Sequence, residues 1–312
     1  MFLKFFLNFN LLMMIFLPML SLTSSDWFLS WFYMEMMLMF FYSLFFKLNW
    51  DILSNFSSMK YFIIQSLASM LLLVTGLGVF FHSDLNLLLN FIFFLSLLIK
   101  LGVYPFHFWV IPILKNLNLL MTFLLLYLMK IIPLSFMNLI LYEFYQDKLM
   151  LMMVVFLSFM TMFMGSLMGN NFLSFNSMLG SSSINHSGWF LLSMIGGLFW
   201  YYFMMYGLIF SFLLVSMFSL NGLTTFFSLI GMSGLPPFAV FFAKLKVLSF
   251  LIYNNYLFFL IMIIVLSVFS LMYYLKFSFY YYLVEKNLFF NFNWLFMSFL
   301  MFNSLTLFLL FF

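Results

Sequence analysis

Four ionisable side chains lie inside long apolar stretches of this sequence. Glu35 stands in WFYMEMMLMFF, Lys100 in LLIKLG, Lys130 in YLMKIIP and Lys244 in FFAKLK. A charge at the centre of a membrane-spanning helix costs about 3 kcal/mol, so four unpaired charges would cost roughly 12 kcal/mol. These side chains are therefore expected to face the interior of a helix bundle, where they pair, meet water or serve a function.

A lysine and a glutamate that are buried together can exchange protons. Burial favours the neutral amine of a lysine, whereas a nearby carboxylate favours the ammonium. At about 4 Å and an effective dielectric constant of about 20, their attraction is about 4 kcal/mol. Joining or separating Glu35 and a lysine would therefore load or release a proton, and the chemistry predicted for these residues is proton translocation.

A structural interpretation is the alternative for each lysine, because a long side chain can carry its ammonium to the membrane surface. This interpretation is favoured for five lysines that lie close to predicted helix ends: Lys47, Lys60, Lys115, Lys276 and Lys286. The functional interpretation is favoured for Lys100, Lys130 and Lys244, which lie farther from the ends, and for Glu35.

Two apolar stretches are interrupted in a similar way. Leu98 to Lys115 reads LIKLGVYPFHFWVIPILK, and Leu229 to Lys246 reads LIGMSGLPPFAVFFAKLK. Irregular backbone at membrane depth is tolerated only where protein buries it or water lines it, and paired interruptions in two halves are typical of ion transporters. A kink that serves packing alone is the alternative. The predicted helix breaks are at Pro105, Pro112, Gly234, Pro236 and Pro237.

Two histidines are candidates for a relay of protons, because histidine changes its charge near neutral pH. His107 lies in the first interrupted stretch, and His186 lies in SSSINHSGW, beside serines and an asparagine. A lone histidine that is hydrogen-bonded within a helix bundle is the alternative for each.

Composition excludes a water-soluble domain. The chain is 67% hydrophobic and 6% charged, with a mean hydropathy of +1.22, so it predicts an integral membrane protein. A span takes about 20 residues, and 312 residues leave room for roughly ten or eleven spans. The net charge of +4 forms no basic stripe that would indicate nucleic acid. The lack of cysteine excludes disulfides and thiolate metal sites.

We expect an all-α, polytopic membrane helix bundle of about eleven transmembrane helices, forming a single domain over 1–312. Two inverted repeats are expected, over about 27–139 and 149–280, with broken helices at 85–114 and 223–253. The N-terminal stretch lacks a cleavage signature and is interpreted as a first membrane helix. The unbroken helices are predicted near 3–22, 27–46, 59–82, 117–139, 149–168, 172–193, 198–218, 256–280 and 290–311.

Residue usage indicates an A+T-biased organellar genome, since Phe occurs 54 times and Met 30 times, while Ala is scarce and Arg absent. A lipid preference for Phe and Met is the alternative. Eleven spans would separate the loop lysines 4, 47, 60, 115 and 286 from Lys148, Asp26, Asp84, Glu143 and Asp147. Positive loops stay inside, so the N-terminus is expected in the matrix and the C-terminus in the intermembrane space, if the organelle is a mitochondrion.

Four segments carry a resemblance that covers most of the chain. They are KYFIIQSLASM at 60–70, LLIKLGVYPFHFWV at 97–110, SSSINHSGW at 181–189 and SGLPPFAVFFAK at 233–244. Together with Glu35 in the second predicted helix, they resemble the subunit 2 family of mitochondrial NADH:ubiquinone oxidoreductase. These are the antiporter-like, proton-translocating membrane subunits of respiratory complex I.

The resemblance implies a multi-pass protein of the mitochondrial inner membrane that moves protons, driven by quinone reduction elsewhere in the complex. Its partners would be other membrane-arm subunits and the lipid bilayer. NADH, FMN, iron-sulfur clusters and ubiquinone would be bound by other subunits, and no cofactor or metal by this chain. Glu35 and Lys100 would be the family's Glu-Lys pair, Lys130 the central lysine and Lys244 the lysine of the second broken helix.

One position departs from the family, which usually carries adjacent basic residues where this sequence has Asn176 and Ser177. Two other functions remain open. A stand-alone cation/proton antiporter would use the same broken helices and would be active as a purified monomer. A structural membrane subunit without transport would keep unchanged proton pumping after Glu35 or Lys100 is neutralised.

Overall fold

The computed structural model describes residues 2–48, 52–81, 87–144, 148–284 and 297–303, and all regular structure within these ranges is helical. The helices are α1 (Phe2–Thr23), α2 (Trp27–Leu48), α3 (Ile52–Phe81), α4 (Leu87–Leu101), α5 (Val110–Leu114), α6 (Leu119–Phe123), α7 (Met129–Phe144), α8 (Lys148–Asn171), α9 (Phe175–Ile195), α10 (Phe199–Phe218), α11 (Gly222–Ser233), α12 (Ala239–Tyr253) and α13 (Leu257–Val284). A 3₁₀ turn at Phe106–Trp109 precedes α5, and a π-helical turn at Leu124–Leu128 joins α6 to α7. Residues 297–303 form a further helical segment.

The prediction of an all-helical, multi-pass membrane protein is confirmed. Within the described ranges, eight helical stretches are long and apolar enough to cross a membrane. Helices suit this solvent because lipid cannot hydrogen-bond to the backbone, and a helix pairs its own amides and carbonyls. Helix α9 is not among the eight, because its asparagines, histidine and serines lower its hydropathy, and its residues 177–195 are buried by neighbouring helices.

Helix α3 corrects one predicted boundary. We expected a loop up to residue 58, yet α3 already begins at Ile52. The serines and the asparagine of this segment do not end the helix, because a serine side chain can bond to a backbone carbonyl one turn earlier. Ser58 does so, with its Oγ 2.7 Å from the carbonyl oxygen of Asn55.

The chain divides into two compact units, residues 1–151 and 152–312. In the first unit α1 packs on α2, α3 packs on α4, and α7 contacts both α2 and α4. In the second unit α11 packs along α10 and α13, while α9 contacts α10, α12 and α13. Each unit contains one of the two interrupted helical stretches.

Part of the orientation prediction falls outside the described residues. This applies to Asp84, Asp147 and Lys286, and to 290–296 and 304–312 of the last predicted helix. Lys60 and Lys115 are described and are exposed. Lys115 follows the end of α5 as predicted, whereas Lys60 lies in the third turn of α3 rather than at its start.

Candidate functional site

The first break begins at a glycine rather than at a proline. Helix α4 ends at Leu101, and Gly102 follows with a φ of +68°. The amides of Gly102 and Val103 donate back to the carbonyls of Ile99 and Leu98, at 3.3 and 3.1 Å, which is the Schellman arrangement of a helix end. A Cβ at position 102 would also fall against side chains of the following turn, so this position requires glycine.

Side chains stabilise the carbonyls that the first break exposes at membrane depth. Trp109 Nε1 donates to the carbonyl of Ile99 at 3.0 Å, and Gln65 Nε2 lies 3.4 Å from the carbonyl oxygen of Lys100. Pro105 lies within this break. Pro112 does not, and its predicted break is wrong. It is the third residue of α5, which follows the 3₁₀ turn at Phe106–Trp109 directly, so the chain stays helical on both sides of this proline.

Glu35 on α2 and Lys100 on α4 form an ion pair. Lys100 Nζ lies 3.1 Å from Oε1 of Glu35, and it also lies 3.4 Å from the sulfur of Met34. The Lys100 side chain is 2% exposed and that of Glu35 is 28% exposed. The structure thus brings together the two residues that were expected to pair, with the cation deeper in the unit than the carboxylate.

A cavity next to this pair also reaches Lys130. It has a volume of about 20 Å³, counted as space open to the centres of water molecules, and a water molecule needs about 10 to 15 Å³ by that measure. Lys130 is buried on α7, between the π-helical turn at Leu124–Leu128 and Pro133. The cavity is lined by Met34, Met37, Leu38, Tyr61, Gln65, Lys100, Trp109, Leu125, Met129, Lys130 and Pro133.

His107 is not part of this cavity. It lies in the 3₁₀ turn of the first break and is fully buried. Its ring stacks on Tyr104 with centroids 6.0 Å apart and lies 4.2 Å from the ring of Phe108. Among the described residues, no side chain hydrogen-bonds to either ring nitrogen. Its relay role stays a prediction.

The second break places a buried lysine at the end of a helix. Helix α11 ends at Ser233, Gly234 follows with a φ of +78°, and Pro236 and Pro237 lie before α12. Lys244 on α12 reaches back, so that its Nζ donates to the carbonyl of Ser233 at 2.6 Å. Since the C-terminal end of a helix carries partial negative charge, this contact offsets part of the cost of burying the ammonium.

Two further contacts stabilise polar groups at the second break, the Lys244 ammonium and the first amide of α12. Lys244 Nζ lies 5.3 Å from the ring centre of Trp189, within the range of a cation–π interaction. The first amide of α12, that of Ala239, donates to Oδ1 of Asn303 at 3.1 Å. The N-cap residue Phe238 has no polar side chain to serve that amide, so an asparagine 64 residues away does so instead.

His186 lies in a polar, fully buried part of α9. Its Nδ1 lies 3.0 Å from the hydroxyl of Tyr202, and its Nε2 lies 3.2 Å from the hydroxyl of Tyr274. At the start of the same helix, Ser177 Oγ donates to the carbonyl of Ser174 at 2.7 Å, and Asn176 is partly exposed.

Several of these contacts were not predicted from the sequence. Each involves a polar side chain in an apolar helix, which is the signal that could have found them. This signal does not identify the hydrogen-bond partner of each side chain, because the partner lies on another helix. The residues missed were Gln65, Trp109, Tyr202, Tyr274 and Asn303. Among the described residues, no cluster of His, Asp or Glu is placed to hold a metal ion.

Two interrupted helices with buried lysines, in a polytopic bundle, are typical of ion-translocating membrane proteins. Residues 24–226 match the family described as NADH:quinone oxidoreductase/Mrp antiporter, TM. The chain is 36% identical to NADH-ubiquinone oxidoreductase chain 2 of Albinaria caerulea, covering 86% of this chain and 87% of the relative. It is 34% identical to the protein of that name from Anopheles gambiae, covering 87% and 84%.

Solved structures share this fold. One chain of respiratory complex I from Thermus thermophilus superposes with a TM-score of 0.76 at 18% identity, covering 88% of this chain and 70% of that one. One chain of the Mrp complex from Dietzia sp. gives 0.74 at 19% identity, covering 82% and 57%. This chain belongs to the NADH:quinone oxidoreductase/Mrp antiporter family, as an antiporter-like membrane subunit of NADH:ubiquinone oxidoreductase.

Proposed function

We propose that this chain translocates protons across the mitochondrial inner membrane through buried Glu, Lys and water, driven by quinone reduction elsewhere in complex I. The observation that carries this proposal is the Glu35–Lys100 ion pair, 3.1 Å long, beside a cavity that Lys130 also lines. The chain would bind no NADH, FMN, iron-sulfur cluster or quinone, and other membrane-arm subunits would be its neighbours.

In the first unit, the proposed path runs from Glu35 and Lys100 to Lys130. Closing the ion pair stabilises the Lys100 ammonium, and opening it favours release of a proton from that buried group. The cavity has room for at least one water molecule, which can accept the proton and pass it to Lys130. Gln65 and Trp109 hold the carbonyls at the break and so fix the end of α4 where Lys100 is attached.

In the second unit, the proposed groups are Lys244 and His186. The Lys244 ammonium donates a hydrogen bond to the carbonyl of Ser233 and lies near the ring of Trp189. Among the described residues, no carboxylate lies within 4 Å of it. Carbonyl and ring stabilise an ammonium less than a carboxylate does, since neither carries a full charge. A proton on Lys244 is therefore held without a permanent counter-charge, as a transported proton should be.

The finer architecture belongs to this proposal. Eleven spans, two inverted repeats over about 27–139 and 149–280, and a single membrane domain would fit a transporter of this family. Eight apolar helical stretches, the buried α9 and the interrupted α11 and α12 support ten of these spans, and 297–303 would belong to the eleventh. An odd number of spans, with exposed Lys60 and Lys115, favours an N-terminus in the matrix and a C-terminus in the intermembrane space.

A stand-alone cation/proton antiporter is the second candidate, since the description of the matching family also names the Mrp antiporter, and one chain of the Mrp complex has a similar structure. That similarity concerns the fold alone. The sequence relatives at 36% and 34% identity are both NADH-ubiquinone oxidoreductase chains, which favours the complex I subunit.

Purification in mild detergent followed by reconstitution tests this choice. We expect the chain to co-purify with an NADH-oxidising assembly whose proton-to-electron ratio falls when Lys244 is replaced by methionine. Lys115→Met is the matched control, because that lysine is exposed, and it should leave the ratio unchanged. A monomer with cation/proton exchange activity would favour the antiporter. Full pumping by the Lys244→Met assembly would contradict the proposed role of the second unit.

A further inference from the structure

We propose that Tyr202 and Tyr274 are additional proton-carrying residues, forming with His186 a three-membered hydrogen-bonded chain. The inference rests on the proposed function and extends it to two side chains that the lysine path does not contain. The chain crosses three helices, since Tyr202 lies on α10, His186 on α9 and Tyr274 on α13. Its two links are 3.0 and 3.2 Å long.

The surroundings hold this chain in place and keep it away from lipid. His186, Tyr202 and Tyr274 are each no more than 1% exposed. The ring of Tyr206 lies 4.6 Å from the His186 ring, and Trp189 stacks on Tyr202 with planes 9° apart. A hydroxyl or an imidazole buried in apolar surroundings costs several kcal/mol unless it is hydrogen-bonded, and here both ring nitrogens have a hydroxyl partner.

The three groups have the donors and acceptors that a proton chain needs. A neutral imidazole has one N–H donor and one acceptor nitrogen, while each tyrosine hydroxyl both donates and accepts. When a proton arrives at the Tyr202 oxygen, that hydroxyl gives its own proton to Nδ1 of His186. The imidazolium releases its Nε2 proton to the Tyr274 oxygen, whose original proton then leaves. Every O–H bond that breaks is replaced, and one proton has moved with no net charge left behind.

This transfer leaves His186 in the opposite tautomer, so the chain must reset before the next proton. The two hydroxyls turn back, and the imidazole ring turns over, so that its protonated nitrogen faces Tyr274 and its bare nitrogen faces Tyr202 while no proton moves back. Beyond Tyr274, the Ser182 side chain of α9 interacts with its hydroxyl. The Ser182 hydroxyl donates its own hydrogen to the carbonyl of Leu179 at 2.7 Å, so its oxygen can accept the proton that leaves Tyr274.

Phenylalanine substitutions test the proposal, because they keep each ring and remove only the hydroxyl. The variants are Tyr202→Phe, Tyr274→Phe and the double mutant, compared with His186→Leu in the intact complex. Tyr201→Phe is the matched control, since Tyr201 is on the same helix and its buried hydroxyl has no hydrogen-bond partner among the described residues. The measurements are the proton-to-electron ratio, the solvent isotope effect on proton flux and the amount of assembled complex.

If the three groups carry each proton one after another, each single variant should lower the proton-to-electron ratio as much as His186→Leu does. The double mutant should then lower the ratio little further. Complex content should stay at the level of Tyr201→Phe, and the solvent isotope effect should change. If both single variants pump fully while His186→Leu does not, the tyrosine proposal is overturned and the role of His186 stands. If the His186→Leu complex also pumps fully at normal complex content, the proposal that these three residues carry protons is overturned. Additive loss of complex content with an unchanged ratio would assign the hydroxyls to holding the ring, and would also overturn it.

Discussion

Lys100 Nζ and Glu35 Oε1 lie 3.1 Å apart although the two residues are separated by 65 positions in the chain. The lysine side chain is 2% exposed, whereas the glutamate side chain is 28% exposed. The pair therefore connects a deeply buried cation to a carboxylate that reaches the boundary of its unit. A change in the surroundings of Glu35 would therefore reach Lys100 through the charge of the carboxylate and the hydrogen bond that it accepts.

Replacing Glu35 by glutamine should impair pumping more than assembly. Glutamine keeps the shape and can still accept a hydrogen bond from Lys100, but it no longer favours the ammonium by its charge. We expect a lower proton-to-electron ratio at nearly normal complex content. Asp26→Asn is the control, because Asp26 is exposed. If the ion pair is merely structural, the substitution should instead lower the amount of assembled complex, since breaking a buried ion pair costs about 3 to 5 kcal/mol. A normal ratio would contradict a role in transport.

Lys100 and Lys130 should act as one unit, because both line the same cavity. Methionine keeps the apolar stem of a lysine and removes the charge. Each single variant, Lys100→Met or Lys130→Met, should lose most of the flux through this subunit, and the double mutant should lose little more. Proton pumping and complex content would be measured in all three. Full pumping in either single mutant at normal complex content would end the relay hypothesis.

Gly234→Ala should displace Lys244. Gly234 has a φ of +78°, and a Cβ there would lie 3.0 Å from both Cδ and Nζ of Lys244. The substitution combines backbone strain of about 1 to 2 kcal/mol with a push on the ammonium. We expect reduced thermal stability of the complex and a lower proton-to-electron ratio.

Gly197→Ala is the matched control for that substitution. Gly197 has a φ of +68°, yet no atom lies within 4 Å of the position its Cβ would take. It should therefore lose a similar amount of stability and keep its pumping ratio. Equal ratios in the two variants would mean that the position of Lys244 over Gly234 does not affect transport.

Asn303→Leu should destabilise the second unit. It leaves the Ala239 amide at the start of α12 buried without its acceptor, and an orphaned buried donor costs about 1 to 3 kcal/mol. Asn10→Leu is a suitable comparison. Asn10 donates to Ser43 Oγ at 2.6 Å, but the Ser43 hydroxyl also donates to the carbonyl of Phe40. No donor is orphaned there, so its effect on thermal inactivation should be smaller. Equal losses would argue against the capping role of Asn303.

The sequence by itself determined the membrane class, the helical fold and the position of most helices. Apolar run length is a local property, and lipid leaves the backbone almost no alternative to a helix. Local chemistry also located both interruptions, because Gly and Pro act within a turn of their own position. It misplaced the start of α3 and assigned a break to Pro112, since both depend on how a helix end satisfies its amides.

Only the tertiary structure decided which polar groups meet. Glu35 and Lys100, Lys244 and Ser233, Asn303 and Ala239, and His186 with its two tyrosines are contacts between different helices. Periodicity cannot predict them, because an apolar helix in lipid has little amphipathic pattern to show which face turns inward. The sequence indicated that buried charges need partners, since their transfer into lipid is costly. The packing of the helices determined which partner each one obtained, because hydrogen bonds and ion pairs form only where side chains come within about 3 Å.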